Sequence, residues 1–274
     1  MDRVEKALHL IECDGFGLEI GPSHNPIAPK KAGFNVEILD HATADELRQK
    51  YQGHNLNLDN IEEVDYVWRG EPLDELIDKT EVYDYIIASH VIEHSTDIIG
   101  FLQQCSKLLK PTGVLSLIIP DKRYCFDYLR PISTTGNCIQ AHFEKRSMHS
   151  IGVVFDYFSS VCRLNDNGAW GKDACQGELQ FIHSLDEARH YMELAKDANS
   201  DYIDVHQWMF TPSSFNLILE DLQRLNLIDL YEKVSFDTVG CEFYITLSKQ
   251  PVEQSDRLEL HKIILRELAE TEVL

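Results

Sequence analysis

The chain of 274 residues is long enough to bury a substantial core, in one large domain or one domain with an embellishment. Its 43% hydrophobic and 26% charged residues are those of an ordinary folded protein, which excludes general disorder. A formal charge of -21 at pH 7 excludes an affinity built on neutralising nucleic-acid phosphates, so neither DNA nor RNA is an expected partner.

In chain order, residues 3–12 predict a short amphipathic helix, and Phe16-Gly17-Leu18-Glu19-Ile20 predicts a strand that ends at Gly21-Pro22. Apolar runs at residues 36–39, 64–68, 85–88 and 114–119 read as buried parallel strands. Helical spacing over 44–51, 73–79 and 98–109 fills the gaps, and Lys110-Pro111-Thr112-Gly113 reads as a tight turn. Strand and helix in alternation predict an α/β, doubly wound sheet.

After Pro120 the alternation stops. Residues 121–205 read as an inserted, mostly helical region rich in aromatics and histidines, placed after the fifth strand. In an open α/β sheet such an insertion lies beyond the carboxyl ends of the strands, where it can cover a ligand crevice. Thr211-Pro212 predicts an N-cap followed by proline at the first helical position, opening a helix to Leu225. Two strands, 228–236 and 242–247, are close enough to pair as an antiparallel hairpin. The tail, 252–274, is expected to form a charged amphipathic helix with Leu258, Ile264, Leu265 and Leu268 as apolar contacts, within a single domain of 1–274.

Seven cysteines, at 13, 105, 125, 138, 162, 175 and 241, include no C-x-x-C pair and suit reduced thiols rather than a disulfide framework or a structural zinc site. The first thirty residues are broken by charges and glycines, so no signal peptide or membrane span is expected and the cytoplasm is the expected location.

The stretch YDYIIASHVIEH, residues 83–94, has two incompatible readings. His90, Glu93 and His94 have the H-x-x-E-H spacing of an inverted zinc peptidase, with both imidazoles on one helix face. Alternatively it is a parallel strand whose carboxyl end delivers Ser89 and His90 to a ligand crevice. Elsewhere, Glu19 and Gly21 give the first loop an acid and a turn through which a backbone can approach a ligand, but G-x-G-x-x-G is absent and a pyrophosphate would lack its cradle. Asp40-His41 ends the second strand, where an acid either accepts from ribose hydroxyls or caps a helix. Arg69-Gly70-Glu71 after the third strand reads as an adenine contact or a solvated turn.

Together GLEIGPSHNPIAP, VEILDHA, DYIIASHVIEH, LLKPTGVLSLIIPDKRYCFD and HQWMFTPSSF resemble class I S-adenosylmethionine-dependent methyltransferases, and most of all those associated with cell-surface polysaccharide biosynthesis. Ser23 stands where the first loop of that family is usually glycine-rich. The resemblance implies a Rossmann-like, mostly parallel seven-stranded sheet ending in the antiparallel hairpin, with S-adenosyl-L-methionine as cofactor. By motif position Glu19, Gly21 and Pro22 would hold the methionine end, Asp40 and His41 the ribose, Gly70 and Glu71 the adenine, and Ser89 and His90 the methyl side. The implied reaction is O-methylation of a sugar hydroxyl in a glycan or glycan precursor, with a glycosyltransferase domain or protein as a possible partner.

Alignment of the acceptor contributes on the order of 7 to 11 kcal/mol to such a transfer, and a base that strips the hydroxyl proton roughly 10²- to 10⁴-fold. His90, His94 and Asp121, at the ends of adjacent strands, are the candidate bases. Lys122, Arg123, Tyr124 and His206 are candidate acceptor contacts, and Trp208 reads as a core anchor. Neither Cys138 with His142 nor His183, His190 and His206 have the spacing of a structural zinc site, so no metal is expected. The alternatives are a zinc hydrolase built on His90, Glu93 and His94, and a binding module that keeps the fold without transferring methyl groups.

Overall fold

The computed structural model describes residues 1–174, 176–197 and 201–270. Its helices are α1 (Arg3–Ala7), α2 (Ala44–Tyr51), α3 (Leu73–Ile77), α4 (Ile98–Leu108), α5 (Thr135–Phe143), α6 (Ile151–Ser160), α7 (Leu185–Leu194), α8 (Pro212–Arg224) and α9 (Arg257–Ala269). Its strands are β1 (Phe16–Ile20), β2 (Asn35–Asp40), β3 (Tyr66–Val67), β4 (Tyr83–Ser89), β5 (Leu109–Pro120), β6 (Cys162–Leu164), β7 (Leu179–Phe181), β8 (Tyr231–Val239) and β9 (Glu242–Ser248).

Seven strands form one sheet in the order β3-β2-β1-β4-β5-β9-β8. The pairs from β3 through β5 are parallel, and β9 runs antiparallel between β5 and β8. The chain leaves β1 toward one edge and returns to β4 on the other side, so the order reverses between β1 and β4. A crevice therefore opens at their carboxyl ends. Apolar runs suit these central strands because both faces are covered. Ile86 and Leu117 join the face packed by α4 and α8, whereas Ile87 and Ile118 join Ala7, Ile27 and Tyr244 on the other.

α8 begins where the sequence places it: Thr211 accepts from the Ser214 N–H, Ser214 reciprocates, and Pro212 needs no partner in the first turn. Ile264 and Leu268 of α9 pack against Leu217 of α8, but Leu258 and Leu265 are exposed, and Leu260 takes the expected role. Residues 271–274 of the predicted tail lie outside the described residues.

Several boundaries differ from expectation. Lys110-Pro111-Thr112-Gly113 is no turn; it lies within β5, where pairing with β4 shifts register between Tyr83 and Tyr85. A Cβ on Gly113 would stand 2.8 Å from the Tyr83 carbonyl oxygen, so this glycine serves strand approach. β3 is reduced to two residues because the Asp65 carboxylate, just before it, takes the Ile38 N–H at 2.7 Å. The insertion holds a small antiparallel ribbon, β6 with β7, besides its helices. The final hairpin strand begins at Tyr231, three residues later than predicted, with Ile228 and Leu230 buried in the connection. Cys13, Cys105, Cys125, Cys138, Cys162 and Cys241 are free thiols, and Cys175 lies outside the described residues. Among the described residues no helix is long and apolar enough to cross a membrane.

Candidate functional site

The first loop turns at Gly21, whose φ of +66° and 2.9 Å clearance from Val91 Cγ2 leave no room for a side chain. Ser23 takes the left-handed conformation expected of a glycine there, with φ of +50°. Asp40 holds it so: one carboxylate oxygen accepts from the Ser23 N–H at 2.8 Å, the other from the His41 N–H at 2.7 Å and from His41 Nδ1 at 2.6 Å. Glu19 does the same further along, accepting from the Ile27 and Ala28 N–H groups at 2.6 and 3.0 Å. Burial pushes its carboxyl up to about 7 despite those two bonds. Glu19 and Asp40 thus both brace the loop from buried positions at the ends of their strands. Pro22 shapes the same turn, its carbonyl accepting from Asn25. Within this loop Ser23 Oγ and His24 Nδ1 are buried without a hydrogen-bond partner, the unmet demand that a polar ligand would satisfy.

After β3, Gly70 has φ of +102° and Glu71 folds back to accept from the Arg69 N–H at 2.8 Å. Its carbonyl takes the Trp68 indole N–H at 2.7 Å. The turn is therefore self-bonded at the edge of the sheet.

At the end of β4, Ser89 Oγ accepts from Arg3 Nη2 at 2.8 Å, and Arg3 Nε also reaches Glu242 Oε1 at 2.8 Å. His90 has φ of +55° and places Nε2 2.7 Å from Glu242 Oε2. Burial disfavours a charged ring, but Glu242 and Glu93 outweigh it and raise His90 to about 9. Burial likewise opposes an ionised Glu242, yet His90, Tyr244 and Arg3 hold it down at about 2. That pairing favours the imidazolium, a form with no free lone pair to accept a proton. The H-x-x-E-H reading fails as well. His90 lies in the left-handed region and Ile92–His94 is a single 3₁₀ turn, so the two imidazoles do not share an α-helix face. Arg3 and Glu242 were invisible as site residues, since nothing local to either marks it.

His94 belongs to a different group. Its Nδ1 lies 2.7 Å from Asp204, and its ring meets that of His206 edge-on at 4.6 Å. His206 Nδ1 in turn lies 2.5 Å from Asp127, whose other oxygen accepts from Arg130 at 2.7 Å. Glu93 stands between, fully buried, with His90 Nδ1 at 3.5 Å and His206 Nε2 at 3.9 Å but no hydrogen bond to either oxygen. Burial would protonate it, and the surrounding imidazoles of His90, His206 and His94 keep it below the usual carboxylate range. His94 is raised, Asp204 and Glu93 prevailing over burial. The Glu93 carbonyl accepts from the N–H groups of both Gln207 and Trp208, at 2.8 and 3.2 Å, which ties the turn after β4 to the strand of chain entering α8. Beside it His149 bridges Gln207 and Tyr202, and burial lowers it to about 4, so it is neutral. Trp208, buried with its N–H on the Ser95 carbonyl, is the expected anchor.

Asp121 through Tyr124, expected as acceptor contacts, are buried with partners inside the fold. Asp121 is fully enclosed, accepting from Arg123 Nη2 at 2.6 Å and from the Thr238 hydroxyl at 2.6 Å. Lys122 is buried on the Tyr128 carbonyl, and burial lowers its ammonium. Tyr124 packs with Cys162, Leu164 and Trp170. These side chains hold the insertion onto the sheet.

A Methyltransferase domain family model matches residues 2–223. A ubiquinone biosynthesis O-methyltransferase of Rhodopseudomonas palustris is 49% identical over 41 residues, 15% of this chain and 16% of the relative, so the match spans about a sixth of that protein. The human mitochondrial ubiquinone biosynthesis O-methyltransferase is 27% identical over 106 residues, 38% of this chain and 28% of its own. Among solved structures, a SAM-dependent methyltransferase of Aquifex aeolicus aligns over 89% of this chain and 88% of its own, at 13% identity and TM-score 0.43. A methyltransferase of Streptomyces caelestis aligns over 90% and 96%, at 12% identity and TM-score 0.43. With that match over residues 2–223, the chain belongs to the methyltransferase-domain family.

Proposed function

We propose that the chain methylates an oxygen, a sugar hydroxyl in a glycan or glycan precursor, with residues 121–205 forming the acceptor side. In this reading the loops after β1, β2, β3 and β4 hold the donor: Gly21, Pro22 and the Glu19-braced loop at the methionine end, Asp40 and His41 at the ribose, Gly70 and Glu71 at the adenine, Ser89 and His90 at the methyl side. When bound, S-adenosylmethionine supplies a methyl already made electrophilic by its sulfonium. The protein's own task is to align the acceptor oxygen and remove its proton. With His90 held by Glu242 and Asp121 enclosed, the group of Glu93, His94 and His206 lies near the end of β4 to meet a hydroxyl. That group carries the reading: it is polar, walled by Asp127 and Asp204, and flanked by the rings of Phe126 and Tyr157, which suits a hydroxyl-rich ligand. The short likeness to O-methyltransferases supports oxygen as the atom methylated.

The test is calorimetric binding of S-adenosylmethionine and its demethylated product, followed by transfer of an isotopic methyl to a panel of nucleotide sugars, oligosaccharides and simple phenols. Product on a sugar hydroxyl supports the proposal, and product on phenols alone replaces the acceptor class. Tight donor binding with no product on any acceptor would make the chain a binding module. A glycosyltransferase partner belongs to the same reading and would co-purify with the chain from its native cells.

A further inference from the structure

Three features of the group at Glu93 go unused by methyl transfer as such. Glu93 is fully buried, and although His90 Nδ1 at 3.5 Å and His206 Nε2 at 3.9 Å offset its charge, neither carboxylate oxygen is hydrogen-bonded, which proteins seldom leave so. His94 and His206 each have Nδ1 engaged by a carboxylate, Asp204 at 2.7 Å and Asp127 at 2.5 Å, which fixes the ring and leaves Nε2 free. One ligand atom from each of Glu93, His94 and His206 lies within 4.8 Å of the others. Paired carboxylate and imidazole, with the far nitrogen free, is the outer-shell pattern that orients histidines toward a metal.

We propose that Glu93, His94 and His206 bind one divalent first-row transition metal ion, zinc by choice, with Asp204 and Asp127 orienting the two imidazoles. Two nitrogens and one carboxylate oxygen make a three-ligand zinc set with the fourth position open. Zinc with ligands at about 2 Å spaces those atoms a little over 3 Å apart, so the three side chains draw together on binding. The frame is rigid enough to aim them, because Gln207 and Trp208 both donate to the Glu93 carbonyl and fix His206 beside the turn. His94 is 32% exposed while Glu93 and His206 are buried, so the open position faces solvent on the His94 side. An acceptor oxygen would enter there, a role that rests on the hydroxyl-acceptor reading; the binding site itself does not.

The experiment is titration of chelator-dialysed full-length protein with zinc alone, by calorimetry and by competition with a chromogenic chelator. One equivalent should bind, and cobalt in its place should give the visible absorption of a four- or five-coordinate ion. His94→Ala, at the exposed edge, and His206→Ala should each weaken binding at least 100-fold. Asp127→Asn should weaken it roughly 10- to 100-fold. His142→Ala, outside the site, should bind as the unaltered protein does. Circular dichroism identifies variants that remain folded, and His94→Ala is the variant expected to do so. Failure of the unaltered protein to take up an equivalent of zinc, or equal uptake by folded His94→Ala, overturns the proposal. Because donor and acceptor are absent from this titration, its failure says nothing about methyl transfer, whereas zinc binding without methylated product would remove the acceptor reading alone.

Discussion

Asp121→Asn separates a structural carboxylate from a catalytic one. Asp121 is fully buried, its oxygens taking Arg123 Nε at 2.9 Å, Arg123 Nη2 at 2.6 Å and the Thr238 hydroxyl at 2.6 Å, while the Arg123 side chain is itself only 5% exposed. Asparagine keeps the shape but leaves a buried guanidinium without its counter-charge. Breaking one side of such a pair costs about 3 to 5 kcal/mol. For a domain of this size that lowers the melting temperature by roughly 6 to 20 °C. Thr238→Val removes a single hydrogen bond to a charged group and should cost less, about 1.5 to 3 kcal/mol. Thermal unfolding and urea titration read both, and calorimetry on the folded variants should show donor affinity unchanged. An Asp121→Asn protein as stable as the unaltered one that has lost methyl transfer would refute the reasoning and restore Asp121 as a candidate base.

The His90 and Glu242 pair makes stability depend on pH in a stated direction. His90 is raised from 6.5 to about 9, so its contribution is whole below 6.5 and fades as pH rises through 9. Glu242 is lowered from 4.5 to about 2, so its contribution is present above 4.5 and is lost as pH falls through 2. Urea midpoints measured across pH 6 to 10 should decline with rising pH, and Glu242→Gln should flatten that decline; a parallel decline in the variant would sink the assignment. Gly21→Ala forces a side chain into φ of +66° and against Val91, and should cost about 1 to 2 kcal/mol from backbone strain together with reduced donor affinity. Adding Val91→Ala should recover the steric share only, and full recovery by the double variant would show that the backbone is not strained.

The parts of the fold that follow from local pattern were readable. Apolar runs at Ile86 to Ala88 and Leu115 to Ile119 announce buried strands, and Thr211 with Pro212 announces a helix start, because each signal lies within a few residues of the structure it specifies. Pairing overrode local chemistry at Lys110 to Gly113, where turn-forming residues are drawn into β5 beside β4. At the candidate site the strand ends were readable but the bonds of their side chains were not. Glu19 and Asp40 do end their strands, yet their bonds go to Ile27, Ala28 and Ser23, which no spacing rule reveals. His94 was noticed for its distance from His90 in sequence, while its partners are Asp204 and His206, over a hundred residues away. Non-local pairing of this kind leaves no period or motif behind.

The double acceptance at the Glu93 carbonyl sets an order of events during synthesis. All five parallel strands lie before residue 121, so the sheet's parallel half can pair while the rest of the chain is still being made. Gln207 and Trp208 reach Glu93 only after the whole insertion has emerged, and β9, which completes the pocket of His90 through Glu242, comes later still. Contacts of such long sequence separation carry the largest loop-closure cost and form late. A nascent chain paused before residue 206 would carry the loops after β1, β2, β3 and β4 with the Glu93 carbonyl still without Gln207 and Trp208, so the group at Glu93 would be assembled late.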